Sequence, residues 1–400
     1  MDRSPTQEAP ARLVSLDAYR GFVMLLMASE GFGIGHVAEH YPNSLFWGFL
    51  RGQTSHVQWA GCSLWDLIQP SFMFMVGVAL PFSLASRRAR GQSFGTMFGH
   101  AVWRSALLVG LGIFLRSVGR SMTNFTFEDV LTQIGLGYAF LFLLGWTKPR
   151  TQAICAVAIL AVYWLAFALY PLPPAGFDYV QVGVGSDWRF HPTGFAAHWD
   201  KNTNLGTACD RWFLNLFPRE HPFEFNRGGY LTSSFIPSLA TMLLGSLAGR
   251  WLRCGQPPEA RVRLLLVAGV AGLAVGWGLG WLGICPVVKR IWTPSWTIFA
   301  GGWTCLLLAG FYWCIDLRGR QRWAGPLVVV GMNSIAMYCL AHLTGGFLAS
   351  SLKTHLGGQV FSLFGLLERP FDAMVEPAVL LATWWLILRW MYQRRLFLRI

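Results

Sequence analysis

His56 and Asp66 stand ten residues apart in HVQWAGCSLWDLIQPSFMFMVG, residues 56–77, where a polar stretch runs into a wholly apolar one. A histidine with a nearby carboxylate, walled by Trp59 and Trp65, has what general base work requires: a group that titrates near neutral pH, an orienting anion and shelter from water. Asp66 alone could instead cap the helix that follows, because the macrodipole favours a carboxylate at an N-terminus. Further polar residues lie among apolar neighbours. They are Glu30, then Lys289, Trp292 and Ser295 in KRIWTPSW, then Asn333 and His342 in GPLVVVGMNSIAMYCLAH. Such groups are expensive in hydrocarbon unless paired, so each is a candidate site residue. Each also has a plainer reading, Asn333 as an interhelical hydrogen bond and His342 as a satisfied structural histidine. Asp17 and Arg20, three apart in SLDAYRG, can meet on one helical face. Arg20 then either anchors that helix at an interface or holds an anionic group such as a phosphate.

The elements that must position these residues are apolar. Of 400 residues 54% are hydrophobic and 13% charged, about half the charge of a soluble domain. A net charge of +13 would suit nucleic acid, but the basic residues form short clusters between apolar runs, as loops beside a lipid bilayer do. No nucleic-acid partner is inferred. The eight cysteines are scattered without a CxxC pair, so neither a disulfide framework nor a metal site is expected.

A spanning helix needs about 20 mainly apolar residues. Ten such runs are found, at roughly 18–35, 64–85, 101–118, 130–147, 152–170, 231–251, 264–284, 295–315, 324–349 and 373–392. The expected fold is all-α and polytopic, with both termini cytoplasmic. That orientation puts Arg87, Arg88, Arg90, Lys148, Arg150, Arg250, Arg253, Arg261, Arg263, Arg318, Arg320 and Arg322 in inner loops, as the positive-inside rule asks. His56, Asp66, Glu30, Lys289, Trp292, Ser295 and His342 then lie towards the outer surface, with Asn333 near mid-depth, and a shared cavity is the economical explanation. In KRIWTPSW, Thr293 can cap the eighth helix with Pro294 at its first position. One outer segment, about 171–230, is far too long for a simple connection. It is either a loose interfacial loop or a structured cap offering Trp188, Trp199 and Trp212 to a sugar.

SLDAYRGFVMLLM, HVQWAGCSLWDLIQPSFMFMVG, TPSWTIFAGG and GMNSIAMYCLAH, in that order, together with YLTSSFIPSLATMLLGSLAG, resemble the transmembrane catalytic domain of heparan-alpha-glucosaminide N-acetyltransferases and their bacterial relatives. The resemblance runs from about residue 12 to the end. It implies one transmembrane acyltransferase domain over 1–400 with an extracytoplasmic insert at about 171–230, in a multi-pass protein of the bacterial cytoplasmic membrane. It implies acetyl-CoA as co-substrate, supplied from the cytoplasm, and an amine of an extracytoplasmic amino sugar or glycan as acceptor. The family's active histidine falls on His56, its downstream aspartate on Asp66 and its ninth-helix asparagine on Asn333, while Glu30–Gly31 stands where relatives commonly carry an asparagine. Arg20 is the candidate contact to CoA; Glu30, Trp59, Lys289, Trp292, Ser295 and His342 are the candidate acceptor contacts. A homodimer is compatible with this arrangement. Two rivals stay open: a transporter or flippase of a polar lipid or sugar, and an O-acyltransferase on the same scaffold.

Overall fold

Backbone polar groups in hydrocarbon must be satisfied within the segment, which leaves a helix as the form open to an isolated apolar run. All ten apolar runs are helical in the computed structural model, which describes residues 13–363, 365–367 and 369–398. The ends of the domain expected over 1–400 lie outside the described residues. In chain order the helices are α1 (Val14–Ala28), α2 (Ile34–His40), α3 (Leu45–Gln53), α4 (Ile68–Ala89), α5 (Phe94–Ser117), α6 (Val130–Gly145) and α7 (Pro149–Ala168). There follow α8 (Leu205–Leu214), α9 (Phe235–Arg253), α10 (Pro258–Trp281), α11 (Pro294–Phe311), α12 (Gly325–Met332), α13 (Ser334–Leu356) and α14 (Val375–Gln393). Extended pairing among the described residues is confined to an isolated bridge between Ala60 and Val288. The protein is an all-α polytopic membrane protein.

The ten expected spans differ in kind. Among the described residues eight helices are long and apolar enough to cross a membrane by themselves. The first span continues past α1 into α2 with a bend of 48°, because Glu30, Gly31, Phe32 and Gly33 all take positive φ. The fourth, α6, has 16 residues, or about 24 Å at 1.5 Å each, short of a bilayer core of about 30 Å. The ninth run is not one helix: it breaks at Asn333 (φ −126°, ψ 38°) into α12 and α13.

The apolar windows of α4 and α9 are 78% and 67% buried, those of α5, α7, α10 and α13 22% and that of α14 11%. The first two therefore form the centre and the rest the lipid-facing rim. Close approach at the centre rests on Gly245 and Gly249 of α9. A Cβ on either would lie 2.0 Å from the Phe74 carbonyl oxygen or 2.4 Å from that of Val78, the spacing by which small residues let helices pack in membranes.

The 171–230 segment is a structured cap and not a loose loop. It carries α8, and its Trp199 is fully buried with Trp59, Tyr163, Phe167, Leu231, Cys285, Val288 and Ile291. Asp210 of α8 accepts a hydrogen bond from the Thr232 backbone N–H at 2.9 Å, which ties the cap to the start of α9. Of the three tryptophans proposed to stack a sugar, Trp199 is core, Trp188 packs edge-on to Trp59, and Trp212 alone is open, at 69% exposure.

Candidate active site

Two loops meet to build the site. The Gly61 backbone N–H donates to the Val287 carbonyl at 2.9 Å, and Arg290 donates to the carbonyls of Gly228 (2.7 Å) and Val57 (3.3 Å). The loop before α4, the loop before α11 and the end of the cap are thereby held in one register, and His56 and Lys289 come side by side.

Asp66 is buried and fully engaged. Its Oδ2 accepts from the backbone N–H groups of Val57 and Ser63, both at 3.2 Å, and lies 2.9 Å from the Ser63 hydroxyl. Ser63 Oγ in turn accepts from the Asp66 N–H at 3.3 Å, a reciprocal capping box at the helix start. The capping and functional readings of Asp66 thus coexist, since its other oxygen is left for His56. His56 Nδ1 sits 2.7 Å from Asp66 Oδ1. The Lys289 ammonium lies 3.5 Å from the same oxygen and 3.1 Å from Nδ1. Nδ1 cannot at once donate an N–H to the carboxylate and accept one from the ammonium. The consistent assignment is Nδ1–H donating to Asp66, Lys289 offsetting the aspartate charge, and Nε2 left basic. Burial lowers the Lys289 ammonium pKa from 10.5 to about 8, against the opposing pull of Asp66.

His56 and Lys289 line a cavity of about 380 Å³ with Glu30, His342, Tyr338 and Arg116. His342 stacks on Tyr338, the ring centroids 4.2 Å apart, and its Nδ1 is bound to the Tyr338 carbonyl at 2.9 Å. Sequence reasoning missed Arg116, Glu128, Tyr230, Gln69 and Tyr338 in this wall. Two signals were available: Gln69 is one helical turn beyond Asp66 and Tyr338 one turn before His342. Glu128 and Tyr230 sit in loops and carried none. Burial raises the pKa of the Glu128 carboxyl.

Four expected site residues lie elsewhere. Trp59 is 1% exposed, its indole N–H donating to the Trp199 carbonyl at 3.1 Å; it pins the cap and does not line the His56 cavity. Trp292, also 1% exposed, donates to the Thr241 hydroxyl. Ser295 is fully buried and bound to Thr293 and the Pro286 carbonyl, inside the turn where Thr293 caps α11 as expected. Asn333 is at the opposite end of the bundle, where its side chain holds the C-terminal tail through the Leu396 carbonyl (2.9 Å) and the Leu398 N–H (3.0 Å). Depth counted along an unbroken helix misplaced it, because the helix is broken there.

Arg20 borders a second cavity at that opposite end. Its volume is about 510 Å³ and its wall includes Asp17, Arg87, Arg104 and Tyr138. Arg20 pairs with Asp17 at 3.6 Å, and Arg104 lies over the Tyr138 ring at 4.5 Å. Val130 and Tyr338 line both this cavity and the one holding His56. The two cavities therefore abut across the middle of the bundle.

No family model matches the chain. Over 379 residues it is 25% identical to human heparan-alpha-glucosaminide N-acetyltransferase, which covers 82% of this chain and 52% of the human protein. The mouse enzyme of the same name is 24% identical over 434 aligned residues, covering 97% and 60%. The chain is distantly similar to these N-acetyltransferases. It spans about half to three-fifths of the length of the curated relatives it matches. Both matched relatives are named as N-acetyltransferases.

Proposed function

We propose that the protein takes an acetyl group from acetyl-CoA at the Arg20 end and delivers it to an amine of an amino sugar or glycan at the His56 end. The observation that carries this reading is the meeting of the two cavities at Tyr338 and Val130. One has a histidine–aspartate pair; the other has three guanidinium groups suited to phosphate. Basic residues at the ends of α4 and α9 support a cytoplasmic Arg20 end, with His56 facing outward across what we take to be a bacterial cytoplasmic membrane.

In the proposed reaction the acetyl-pantetheine arm passes Tyr338 while Arg20, Arg87 and Arg104 hold the CoA phosphates. A neutral acceptor amine attacks the thioester carbon, so a C–N bond forms and the C–S bond breaks. The amine proton goes to His56 Nε2 and from there to the departing thiolate. Asp66 fixes the tautomer and stabilises the imidazolium, and Lys289 keeps that carboxylate ionised in a buried place. The same Nε2 can instead attack first and carry the acetyl group; rapid quenching before acceptor is added separates the routes by the presence of acetyl-histidine.

A transporter reading draws on the interrupted helices at Glu30–Gly33 and at Asn333, since broken spans line transport paths. Their breaks lie at opposite ends of the bundle. Purified protein with labelled acetyl-CoA distinguishes the readings: CoA release that depends on glucosamine is expected, release with hydroxyl acceptors alone would indicate O-acylation, and no release under any condition would remove the acyltransferase reading.

A further inference from the structure

Glu128 stands in the loop between α5 and α6 and lines two cavities. One is the His56 cavity; the other, of about 200 Å³, lies between that loop and the cap. Arg116 and Tyr230 are also common to both walls, so the second cavity adjoins the first. It is smaller than the ~300–1,000 Å³ of pockets that enclose a ligand, but it has room for several waters, each of which takes about 30 Å³ in the liquid. Its wall is largely polar, with Asp210 and Arg219 of the cap on one side, and the exposed Arg116 and Arg120 bring it to the surface. The buried histidine end thus has a polar side passage of water-carrying size, and a carboxylate stands where it begins.

That carboxylate is held in place and is not spent. It accepts a hydrogen bond from the Asn226 side-chain amide, which ties it to the cap. Burial raises its pKa most, the Arg116 guanidinium opposes the rise, and Asp129 and Asp210 add to it. Burial also raises Asp210, in the same passage, to about 6. Of the other carboxylates in the wall of the His56 cavity, Asp129 is engaged in capping α6 through the Leu131 and Thr132 N–H groups, and Glu30 does not border the passage. The cations in that wall are Arg116 and Lys289, with His56 and His342 beside them.

The proposed transfer leaves one proton unassigned. An amine with a pKa of about 8, the usual value for an α-amino group, is mostly an ammonium ion at neutral pH and has no lone pair to attack a thioester. His56 takes the proton lost as the C–N bond forms and returns it to the thiolate, so it is not free for the earlier one. Overall, ammonium and thioester give amide, thiol and one proton, and that proton must leave a buried place. We propose that Glu128 takes the first proton from the bound ammonium and releases it to water through the side passage, leaving a neutral amine beside His56. This rests on the acyltransferase reading. The N–H bond breaks towards the carboxylate, the electron pair stays on nitrogen as the nucleophile, and the carboxyl resets by losing its proton outward.

The test is acetyl transfer from labelled acetyl-CoA by the detergent-solubilised full chain, with glucosamine and with methoxyamine, a weak base that stays unprotonated throughout. The ratio of kcat/KM between Glu128→Gln and the wild type is followed from about pH 6 to 9, a range spanning the ammonium pKa; titration of His56 and other shared groups cancels in it. Glutamine keeps the size and an acceptor for Asn226 but cannot take a proton. With glucosamine the ratio should fall about tenfold for each pH unit below the ammonium pKa, because only free amine then serves. With methoxyamine it should not change with pH. Glu128→Asp, which retains a carboxylate, should restore most of the acid-side loss. A glucosamine ratio that is flat with pH, whether near one or uniformly low as a structural role would make it, would overturn the assignment. Transfer to neither acceptor by the wild type would instead remove the acyltransferase reading, and the proton path with it.

Discussion

The two abutting cavities are built in opposite ways. Beside His56 the two nearest charged groups, Asp66 and Lys289, are buried, and the loops that carry the site are fixed by backbone atoms from three separate segments: Val57 and Ser63 on Asp66, Gly228 on Arg290, Val287 on Gly61. Around Arg20 the charged groups sit on regular helices and reach into the cavity on long side chains, with Arg104 Nε buried and without a hydrogen-bond partner among the described residues. Preorganised dipoles suit a step in which charge develops at one atom. Long guanidinium arms suit a multiply charged ligand that arrives and leaves. Under the proposed function, the difference suits chemistry at one end and capture at the other.

The strongest test of that division is at His56. Loss of a general acid–base typically costs about 10² to 10⁴ in rate, and His56→Asn should fall in that range in acetyl-CoA-dependent transfer, with Asp66→Asn close behind. His342→Asn, whose ring nitrogen is spent on the Tyr338 carbonyl, should lose far less. Full turnover by the His56 variant beside a dead His342 variant would move the base to α13.

The rigidity of the histidine end is tested next. Trp59 links the His56 loop to the cap through the Trp199 carbonyl, and truncating a buried aromatic costs about 3–5 kcal/mol. Trp59→Ala should lower the Tm in detergent and admit protease to the 171–230 segment. An unchanged Tm with a resistant cap would show that the cap does not brace the site.

Capture at the other end predicts a binding effect. Arg104→Met should raise the KM for acetyl-CoA about tenfold, as expected for one charge-assisted contact, and move the acceptor KM less. A loss confined to kcat would contradict the division.

How much of this was legible differs between the two ends for a physical reason. The helices were readable because hydrocarbon forces a long apolar run, and all ten positions proved helical. His56 and Asp66 were readable because one short loop carries both. What periodicity could not show was where a helix stops. Asn333 was given its role by the resemblance and its mid-depth place by counting along a continuous helix, whereas the helix breaks there and the side chain bonds to the tail. Arg87 and Arg104 were read as topology signals or not at all, because an arginine at a helix end looks the same whether it faces lipid headgroups or a cavity. Trp59 and Trp292 have the right composition for a site, yet partners at great sequence separation put them in the core, and Ser295 is spent within its own turn.

The smallest expected effect concerns Lys289 and the dryness of the histidine end. Burial holds its ammonium pKa near 8 instead of 10.5, so between those values the unfolded chain keeps a proton that the folded chain has released. Stability rises with pH wherever the unfolded state binds more protons. The Lys289 contribution is therefore least favourable below about pH 8 and improves as pH climbs towards 10.5. Methionine fills similar space without a charge, and in Lys289→Met the Asp66 carboxylate keeps its three bonds to Val57 and Ser63. The Tm of the wild type minus that of Lys289→Met, measured in detergent at pH steps from 7 to about 10, should accordingly rise across the window, since titration of all other groups cancels in the difference. A flat difference would mean that Lys289 holds its proton as an exposed lysine does. The His56 cavity would then be as wet as the arginine end, and preorganisation by burial could no longer separate the two.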